Sequence, residues 1–347
     1  MRVGQYKEFI KLALSNKRRV LVKGPPGVGK TFIKEQGTEE LGMDYIGLCS
    51  ALEDPSTIRG YPFRDGDTAR HLLFDGIARA FAATKPTVLD FDDLGMASES
   101  TTRAIIRLFQ LGEIDGARLP DYVVLSASTN DVGHGAGVYG LIEPLKTRFH
   151  SIISVEANVD DLVLYGLNAG WDIGVLAYLR NDPQAINDWK PTKSIDIDGA
   201  CPRGWEYVSE WCKLGVFDPE VIAGAVGKGR AAAFLAFRAL MNELPDIAAV
   251  QLDPEGSPIP ENPSARFLVA MAVASAMNGK NFGQFLKYLL RMPQNFRAYS
   301  VRDAVQAENV MRREKRLKPD HAAIAMSRDF TTWANTADGR EIMLAGS

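Results

Sequence analysis

The chain of 347 residues has few cysteines and no long apolar run, and these absences exclude several classes of protein. Its three cysteines, Cys49, Cys201 and Cys212, are far apart and form no C-x-x-C pair, which argues against a disulfide framework or a zinc site. No stretch approaches the roughly 18 apolar residues of a membrane-spanning helix, and residues 1–5 lack the apolar core of a signal peptide. We therefore expect reduced thiols, no membrane association and a cytoplasmic location.

The chain also lacks an excess of positive charge. Its 40 Lys and Arg residues stand against 43 Asp and Glu residues, a formal net charge of −3 at pH 7. This balance gives no global attraction for nucleic acid or an anionic membrane, although residues 312–318 form a locally basic cluster. Glu314 interrupts that cluster and no aromatic residues interleave, so a solvated helix end is favoured over a nucleic-acid contact.

The most informative stretch is GPPGVGKT, which follows the apolar residues 20–22 and precedes a helical pattern. Its residues are Gly24, Pro25, Pro26, Gly27, Val28, Gly29, Lys30 and Thr31. Glycines at this spacing let backbone N–H groups point at one anion, and the following helix directs its positive end towards it. We expect Lys30 to contact the β- and γ-phosphates of ATP and the Thr31 hydroxyl to ligate Mg²⁺.

A second landmark is the apolar strand pattern at residues 86–93, which ends in carboxylates. In phosphate-loop enzymes an acid at the end of the strand beside the loop holds Mg²⁺, and a neighbouring acid polarises the attacking water. Asp92 fits the first role and Asp93 the second, where such ATPases more often have Glu, so the shorter Asp93 leaves the hydrolysis rate open. Asp90 lies on the same side as Asp92 but deeper; it is either hydrogen-bonded to the loop or a sign of a different register.

Two further strand patterns complete the predicted sheet. They cover residues 45–49 and 122–128, and the second leads into Asn130. An open α/β sheet holds its ligand at the carboxyl edge, so Asn130 is placed to orient the attacking water, with a capping or turn asparagine as the alternative. Residues 54–62 are predicted to form a turn-rich insertion, and residues 132–140 a glycine-rich loop.

Smaller elements of the first half are a tight hairpin at residues 112–116 and a helix at 101–111. His134, within the glycine-rich loop, is expected to be solvated rather than catalytic.

Helical patterns dominate the second half of the chain. They cover residues 161–167, 175–179, 205–214, 223–240, 265–276 and 282–291. The Pro-rich residues 253–263 are predicted to mark a boundary or an extended crossing, because proline removes a backbone donor and breaks helices. Residues 336–347 are predicted to be a weakly anchored tail.

The ordered set of motifs from Gly24 to Trp205 resembles the AAA+ ATPases, and within them the MoxR group. The phosphate loop, Asp92-Asp93, the hairpin at 112–116, Thr129-Asn130, Thr147-Arg148-Phe149 and Cys201-Pro202-Arg203-Gly204-Trp205 carry the resemblance. It implies that Asn130 is sensor 1, that Arg148 is an arginine finger reaching the nucleotide of a neighbouring subunit, and that Arg203 is sensor 2, touching the γ-phosphate from the lid. Residues 54–62 resemble the second-helix insertion of this subgroup, with an ordinary surface loop as the alternative.

The resemblance also implies an architecture. The expected fold is α/β, an AAA+ P-loop NTPase parallel sheet flanked by helices, with an all-α lid and an α-helical C-terminal extension. The expected domains are the nucleotide-binding subdomain at 1–156, the helical lid at 157–242 and the helical extension at 243–347.

The function implied by the resemblance is that of a chaperone-like remodeler. Such a protein forms a homo-oligomeric ring, expected to be hexameric, hydrolyses ATP with Mg²⁺ and acts on a protein client, often beside a partner carrying a von Willebrand factor A domain. Two alternatives stay open: a nucleotide-gated scaffold with little hydrolysis, because Asp93 is short, and a nucleic-acid motor. The acidic pI of 5.9 and the lack of a recognisable DNA-binding appendage disfavour the motor.

Overall fold

The computed structural model of the protein describes residues 1–114, 116–131, 141–192 and 194–344. The chain divides into two units, Met1–Ala157 and Asn158–Ser347. The predicted glycine-rich loop at 132–140, with His134, lies outside the described residues.

The first unit is built on a parallel sheet of five strands. The strands of this unit are β1 (Val20–Gly24), β2 (Asp44–Cys49), β3 (Tyr61–Asp65), β4 (Thr68–Leu72), β5 (Thr87–Asp92), β6 (Glu113–Ile114), β7 (Ala117–Arg118), β8 (Val123–Asn130) and β9 (Ser151–Ser154). The order in the sheet is β2-β5-β8-β1-β9, while β3–β4 and β6–β7 form separate antiparallel hairpins. The strand β8 therefore lies between the acidic strand β5 and the strand β1 that leads into the phosphate loop.

Helices cover both faces of the sheet because its central strands alternate apolar side chains between the two faces. The helices of this unit are α1 (Val3–Ser15), α2 (Lys30–Glu40), α3 (Pro55–Arg59), α4 (Asp75–Phe81), α5 (Glu99–Leu111) and α6 (Glu143–Lys146). Val20 and Val22 belong to a core cluster with residues of α1 and α2, whereas Leu21 belongs to a second cluster with residues of α4, α5 and α6. Parallel strands with helices on both faces confirm the predicted α/β class, a parallel sheet flanked by helices.

The segment predicted as a turn-rich insertion is more ordered than expected. Asp54 caps α3 by accepting hydrogen bonds from the backbone N–H groups of Ser56 and Thr57, and the chain then enters the β3–β4 hairpin. Every residue of β3 is exposed, so this hairpin contributes no side chain to the core of the unit. The sequence analysis missed it because the apolar alternation in β3 is limited to Tyr61 and Phe63, which is too short to predict a strand.

The regular elements of the second unit, within its described part, are helices. Its helices are α7 (Val159–Ala169), α8 (Ile173–Asn181), α9 (Pro202–Lys213), α10 (Pro219–Val226), α11 (Lys228–Arg238), α12 (Ile247–Leu252), α13 (Pro263–Ala276), α14 (Phe282–Leu289), α15 (Gln294–Arg313), α16 (Arg328–Ala334) and α17 (Ala337–Leu344). The helix predicted at 223–240 is divided, because Gly227 adopts a φ of 80° between α10 and α11. No helix of the described ranges is both long and apolar enough to cross a membrane.

An ion-pair network joins the predicted lid to the predicted C-terminal extension. Arg180 of α8 donates to both carboxylate oxygens of Asp303 on α15 at 2.8 Å and also bonds to Asp160 of α7. Burial raises the pKa of Asp303, and the opposing charges of Arg180 and Arg302 offset part of that effect. The two stretches thus pack within one unit, and a folding boundary near residue 242 remains a prediction.

The predicted weakly anchored tail is wrong for its described part. Asp338 at the start of α17 accepts hydrogen bonds from the Arg297 guanidinium at 2.6 and 2.9 Å and from the Trp333 indole at 3.0 Å. Ile342 of the same helix is buried. This segment is held by a bidentate charged contact and an apolar side chain.

Candidate nucleotide-binding site

The backbone of residues 24–31 turns sharply between β1 and α2. Gly27 and Gly29 adopt φ values of 71° and 89°, in the left-handed region that side chains with a Cβ disfavour. Gly24 meets a different constraint, since a Cβ there would lie 2.4 Å from the backbone oxygen of Val155. Glycine is therefore required at positions 27 and 29 for a left-handed turn, and at position 24 for a close approach to the chain after β9.

Lys30 is 7% exposed and its ammonium group points into the mouth of the loop. Its Nζ donates to the backbone oxygens of Gly24 at 3.0 Å and Pro25 at 2.9 Å, and to Asn130 Oδ1 at 2.9 Å. The Tyr6 hydroxyl donates to the Lys30 backbone oxygen at 3.1 Å and so links α1 to the first turn of α2. A positive charge is thereby held beside the amino end of a helix, where anions are favoured.

Thr31 and Asp92 lie in direct contact. The Thr31 hydroxyl donates to Asp92 Oδ2 at 2.8 Å, and the Ser128 hydroxyl donates to Asp92 Oδ1. Burial alone would raise the pKa of Asp92, but the hydrogen bonds from Ser128 and Thr31 and the charge of Lys34 bring the pKa below its ordinary value. Asp92 is therefore a carboxylate at neutral pH.

The Thr31–Asp92 pair fits the requirements of Mg²⁺. This ion prefers oxygen ligands and binds through one or two carboxylates together with substrate phosphates and water. One hydroxyl and one ionised carboxylate meet here beside a predicted phosphate loop. Within the described residues, no group of three or more His, Cys, Asp or Glu side chains could hold a metal. A metal at Thr31 and Asp92 would consequently depend on the nucleotide for its remaining ligands.

Asn130 bridges Lys30 and Asp93. Its Oδ1 accepts the bond from Lys30, and its Nδ2 lies 3.4 Å from Asp93 Oδ1. Asp93 has a φ of 49°, a left-handed conformation that Asp adopts more readily than most residues. The backbone turn after β5 thus aims the Asp93 carboxylate back towards the carboxyl edge of β8.

Asp90 is fully buried and has two partners. Its Oδ1 accepts a short hydrogen bond from Lys34 Nζ of α2, and its Oδ2 accepts one from the Tyr45 hydroxyl of β2 at 2.8 Å. The predicted register of the strand is therefore right, but the expected bond to the loop is wrong. The partner is the helix that follows the loop, because Lys34 lies one turn beyond Lys30 and faces the sheet.

Arg148 lies at the amino end of the parallel strands, opposite the carboxyl edge that holds the phosphate loop. It precedes β9, whose Ser151 pairs with Val20 at the start of β1, whereas the phosphate loop follows Gly24 at the end of β1. A five-residue strand spans about 16 Å. Arg148 is therefore remote from the phosphate loop of its own chain.

Arg19 and His150 share the amino end of the strands with Arg148. The backbone N–H of Arg19 donates to His150 Nδ1 at 3.1 Å. Burial, followed by the charge of Arg148, lowers the pKa of Arg19.

Arg203 belongs to the second unit. It is exposed in the first turn of α9, on the wall of a cleft of about 600 Å³ that Trp189, Tyr207 and Trp211 also line. The adjacent Trp205 is fully buried, and its indole donates to the Ala185 backbone oxygen at 2.7 Å. The motif at 201–205 thus combines a buried anchor with an exposed guanidinium.

The structure brings Lys30, Thr31, Asp92, Asp93 and Asn130 together at one edge of the sheet, as predicted from the strand ends. It adds Ser128 and Lys34, which the sequence analysis did not identify. Ser128 follows Ala127, the partner of Phe91, so a correct pairing of β5 with β8 would have identified it. The indication for Lys34 in the sequence is weaker, since Lys34 lies four residues after Lys30 and therefore on the same face of the helix.

Comparisons with known proteins find similarity of structure only. No protein-family model matches the chain, and no curated protein sequence is significantly similar to it. One similar solved structure is the RuvB Holliday junction branch migration motor of Thermotoga maritima, at 15% identity and a TM-score of 0.40, over 83% of this chain and 87% of that chain. Another is NtrX from Brucella abortus in complex with ADP, at 14% identity and a TM-score of 0.41, over 90% of this chain and 67% of that chain. At this distance the matches carry no information on activity, and the fold assignment rests on the sheet itself.

Proposed function

We propose that the protein binds ATP with Mg²⁺ at residues 24–31 and hydrolyses it to ADP and phosphate. The observation that carries this proposal is the Lys30–Asn130–Asp93 chain of contacts beside the Thr31–Asp92 pair, all at the carboxyl edge of the parallel sheet. This edge is where open α/β sheets hold their ligands. The metal, when bound, supplies charge neutralisation at the phosphates.

Each residue of the cluster has a chemical task in this proposal. The loop backbone and Lys30 bind the phosphates, while Thr31 and Asp92 supply oxygen ligands. Asn130 orients the attacking water, and Asp93 accepts a hydrogen bond from it. Positioning and charge stabilisation of this kind account for most of the catalysis of phosphoryl transfer.

The active site is completed, in our proposal, by Arg148 of a neighbouring subunit. Its place at the amino end of the strands, opposite its own phosphate loop, supports action in trans, because a guanidinium there lies about one strand length from the nucleotide site of its own chain. A planar, permanently charged side chain is suited to the negative charge that spreads over the transferred phosphoryl group. Head-to-tail contacts of this sort generate rings when the rotation closes, and the resemblance to AAA+ proteins suggests six subunits.

The second unit would act as the lid. We propose that Arg203 contacts the γ-phosphate, so that loss of this phosphate on hydrolysis releases a domain movement. Its exposed guanidinium, fixed next to the buried Trp205, supports such a contact.

The output of the cycle is proposed to be remodelling of a protein client, in the manner of the MoxR group. The β3–β4 hairpin supports a protein contact, because Tyr61, Phe63 and Leu72 share one face and are 65%, 46% and 68% exposed. Exposed apolar patches of this kind mark interaction sites. A protein with a von Willebrand factor A domain is the partner class that the resemblance suggests.

A nucleotide-gated scaffold is the second candidate. The length of Asp93 favours it, since this side chain is one methylene shorter than the Glu usual at the position and holds a left-handed backbone conformation. In this case ATP would drive assembly, and hydrolysis would be slow.

Steady-state ATP hydrolysis measured against protein concentration, with light scattering for mass, tests the proposal. Specific activity should rise as the oligomer forms if the site is composite. Oligomers with ATP bound but no turnover would favour the scaffold. A monomer with full specific activity at every concentration would contradict the composite site.

A further inference from the structure

A buried ion pair lies directly behind the candidate metal site. Lys34 and Asp90 have fully buried side chains and bond to each other, and the Tyr45 hydroxyl occupies the second oxygen of Asp90 at 2.8 Å. Both carboxylate oxygens are therefore held, and the carboxylate cannot rotate without losing a partner. We call Lys34, Asp90 and the half-buried Tyr45 the inner triad.

The Lys34–Asp90 pair of the inner triad connects the same two elements as the candidate metal ligands. Lys34 lies three residues after Thr31 on α2, and Asp90 lies two residues before Asp92 on β5. The Lys34–Asp90 and Thr31–Asp92 contacts are thus two successive bonds between one helix and one strand. The inner bond is removed from water, and the outer bond is at the edge where nucleotide is expected.

The inner bond, between Lys34 and Asp90, is expected to add little to the free energy of unfolding. Removing two charges from water costs several kcal/mol per ion, and replacing a buried ion pair with apolar residues of similar volume is often neutral or stabilising. What such a pair adds over apolar packing is direction, because a bond between two oriented groups fixes both the rotation and the height of α2 over β5. A displacement of about 1 Å at a catalytic group can lower a rate by about 100-fold.

We infer that Lys34, Asp90 and Tyr45 are positioning residues that set the spacing of Thr31 and Asp92 and thereby the affinity for the metal–nucleotide complex. The inference rests on the proposed function, because it concerns the metal ligands of that site. Outer groups that orient metal ligands typically change metal affinity by about 10- to 100-fold when they are removed.

The test replaces the inner bond while keeping its volume. We would compare the wild type with the double variant Lys34→Met/Asp90→Leu and with the milder Tyr45→Phe. A matched control is Arg180→Met/Asp303→Leu, which removes another buried ion pair, in the second unit. Binding of Mn²⁺ to the ADP-bound protein is followed by electron paramagnetic resonance, ADP affinity by calorimetry in EDTA, and stability by urea unfolding.

The triad double variant should bind Mn²⁺ about 10-fold or more weakly, with ADP affinity in EDTA and the urea midpoint close to those of the wild type. Tyr45→Phe should weaken Mn²⁺ binding by a smaller factor, and it keeps the test decisive if the double variant does not fold. The control pair should leave Mn²⁺ affinity unchanged.

Two results would overturn the inference, and they differ in what else they reject. Wild-type Mn²⁺ affinity in a folded triad variant would show that the pair is only structural, and the proposed ATPase would stand. Failure of the wild-type protein to bind ADP and Mn²⁺ together would reject the proposed function as well.

Discussion

Two variants that are each inactive should regain activity when they are mixed. Arg148→Ala keeps its own nucleotide site but lacks the finger, while Asp92→Ala keeps the finger but lacks the metal carboxylate. Loss of an arginine finger costs about 1,000-fold or more in turnover. Because the five-residue strand β1 separates Arg148 from the phosphate loop of its own chain by about 16 Å, the finger of a chain cannot serve the site of the same chain.

The activity recovered by the mixture depends on how many interfaces combine an intact nucleotide site with an intact arginine finger. In an equal, random mixture, an intact site faces an intact finger at about a quarter of the head-to-tail interfaces, whatever the ring size. If interfaces act independently, the mixture should reach about a quarter of the wild-type rate per subunit. This value is far above the sum of the two parent variants.

The assay is a coupled measurement of ADP release after the variants are unfolded together, refolded and checked for mixed oligomers by native mass spectrometry. ATP binding to Arg148→Ala, measured separately, controls for damage to its own site. Verified mixed oligomers with no more activity than the parents would refute the composite site. Full turnover by Arg148→Ala alone would refute the role of Arg148.

Three further predictions concern single substitutions. Lys30→Ala should weaken ATP binding by about 100-fold, because a charge-assisted contact is lost; unchanged affinity by calorimetry would argue against the nucleotide site. Asp93→Glu should lower kcat by about 10-fold, because the carboxylate is already within 3.4 Å of Asn130 and a longer side chain misplaces it; a higher kcat would show that the short acid limits the reaction. Asp338→Ala should lower the free energy of unfolding by about 2 kcal/mol, since the charged hydrogen bonds that anchor α17 are lost. Hydrogen bonds from Arg297 lower the pKa of Asp338, so its contribution should be present above about pH 4 and vanish as pH falls through the lowered value; urea unfolding at several pH values measures both effects.

The parts of the fold that the sequence predicted are those specified by local pattern. Buried strands such as β5 and β8 contain short apolar runs, at residues 88–89 and 123–125, and their polar ends identify the edge where Asp92, Asp93 and Asn130 meet. In contrast β9 has only four residues, two of them serine, and is defined by its pairing with β1. A short edge strand of this kind has no periodicity of its own, and the sequence analysis did not find it.

The contacts that were missed in the site depend on packing between elements. Asp90 looked anomalous in an apolar strand because its partners, Lys34 and Tyr45, are far from it in sequence and come from α2 and β2. Ser128 has no motif of its own, and only the register of β5 against β8 brings it to Asp92. Local composition therefore identifies the groups that carry charge, but the arrangement of helices on the sheet decides which groups hold them.

The first glycine of the phosphate loop has a consequence for how knock-out variants of this protein are interpreted. At Gly24 the obstacle to a side chain is the backbone oxygen of Val155, 2.4 Å from where a Cβ would lie, and not the phosphate. Gly24→Ala would push residue 155 away from the loop and loosen β9, the strand that follows Arg148. Loss of activity in that variant could therefore come from a displaced Arg148 and still look like a defect in nucleotide binding. A substitution of Lys30 is the better choice for an inactive reference protein.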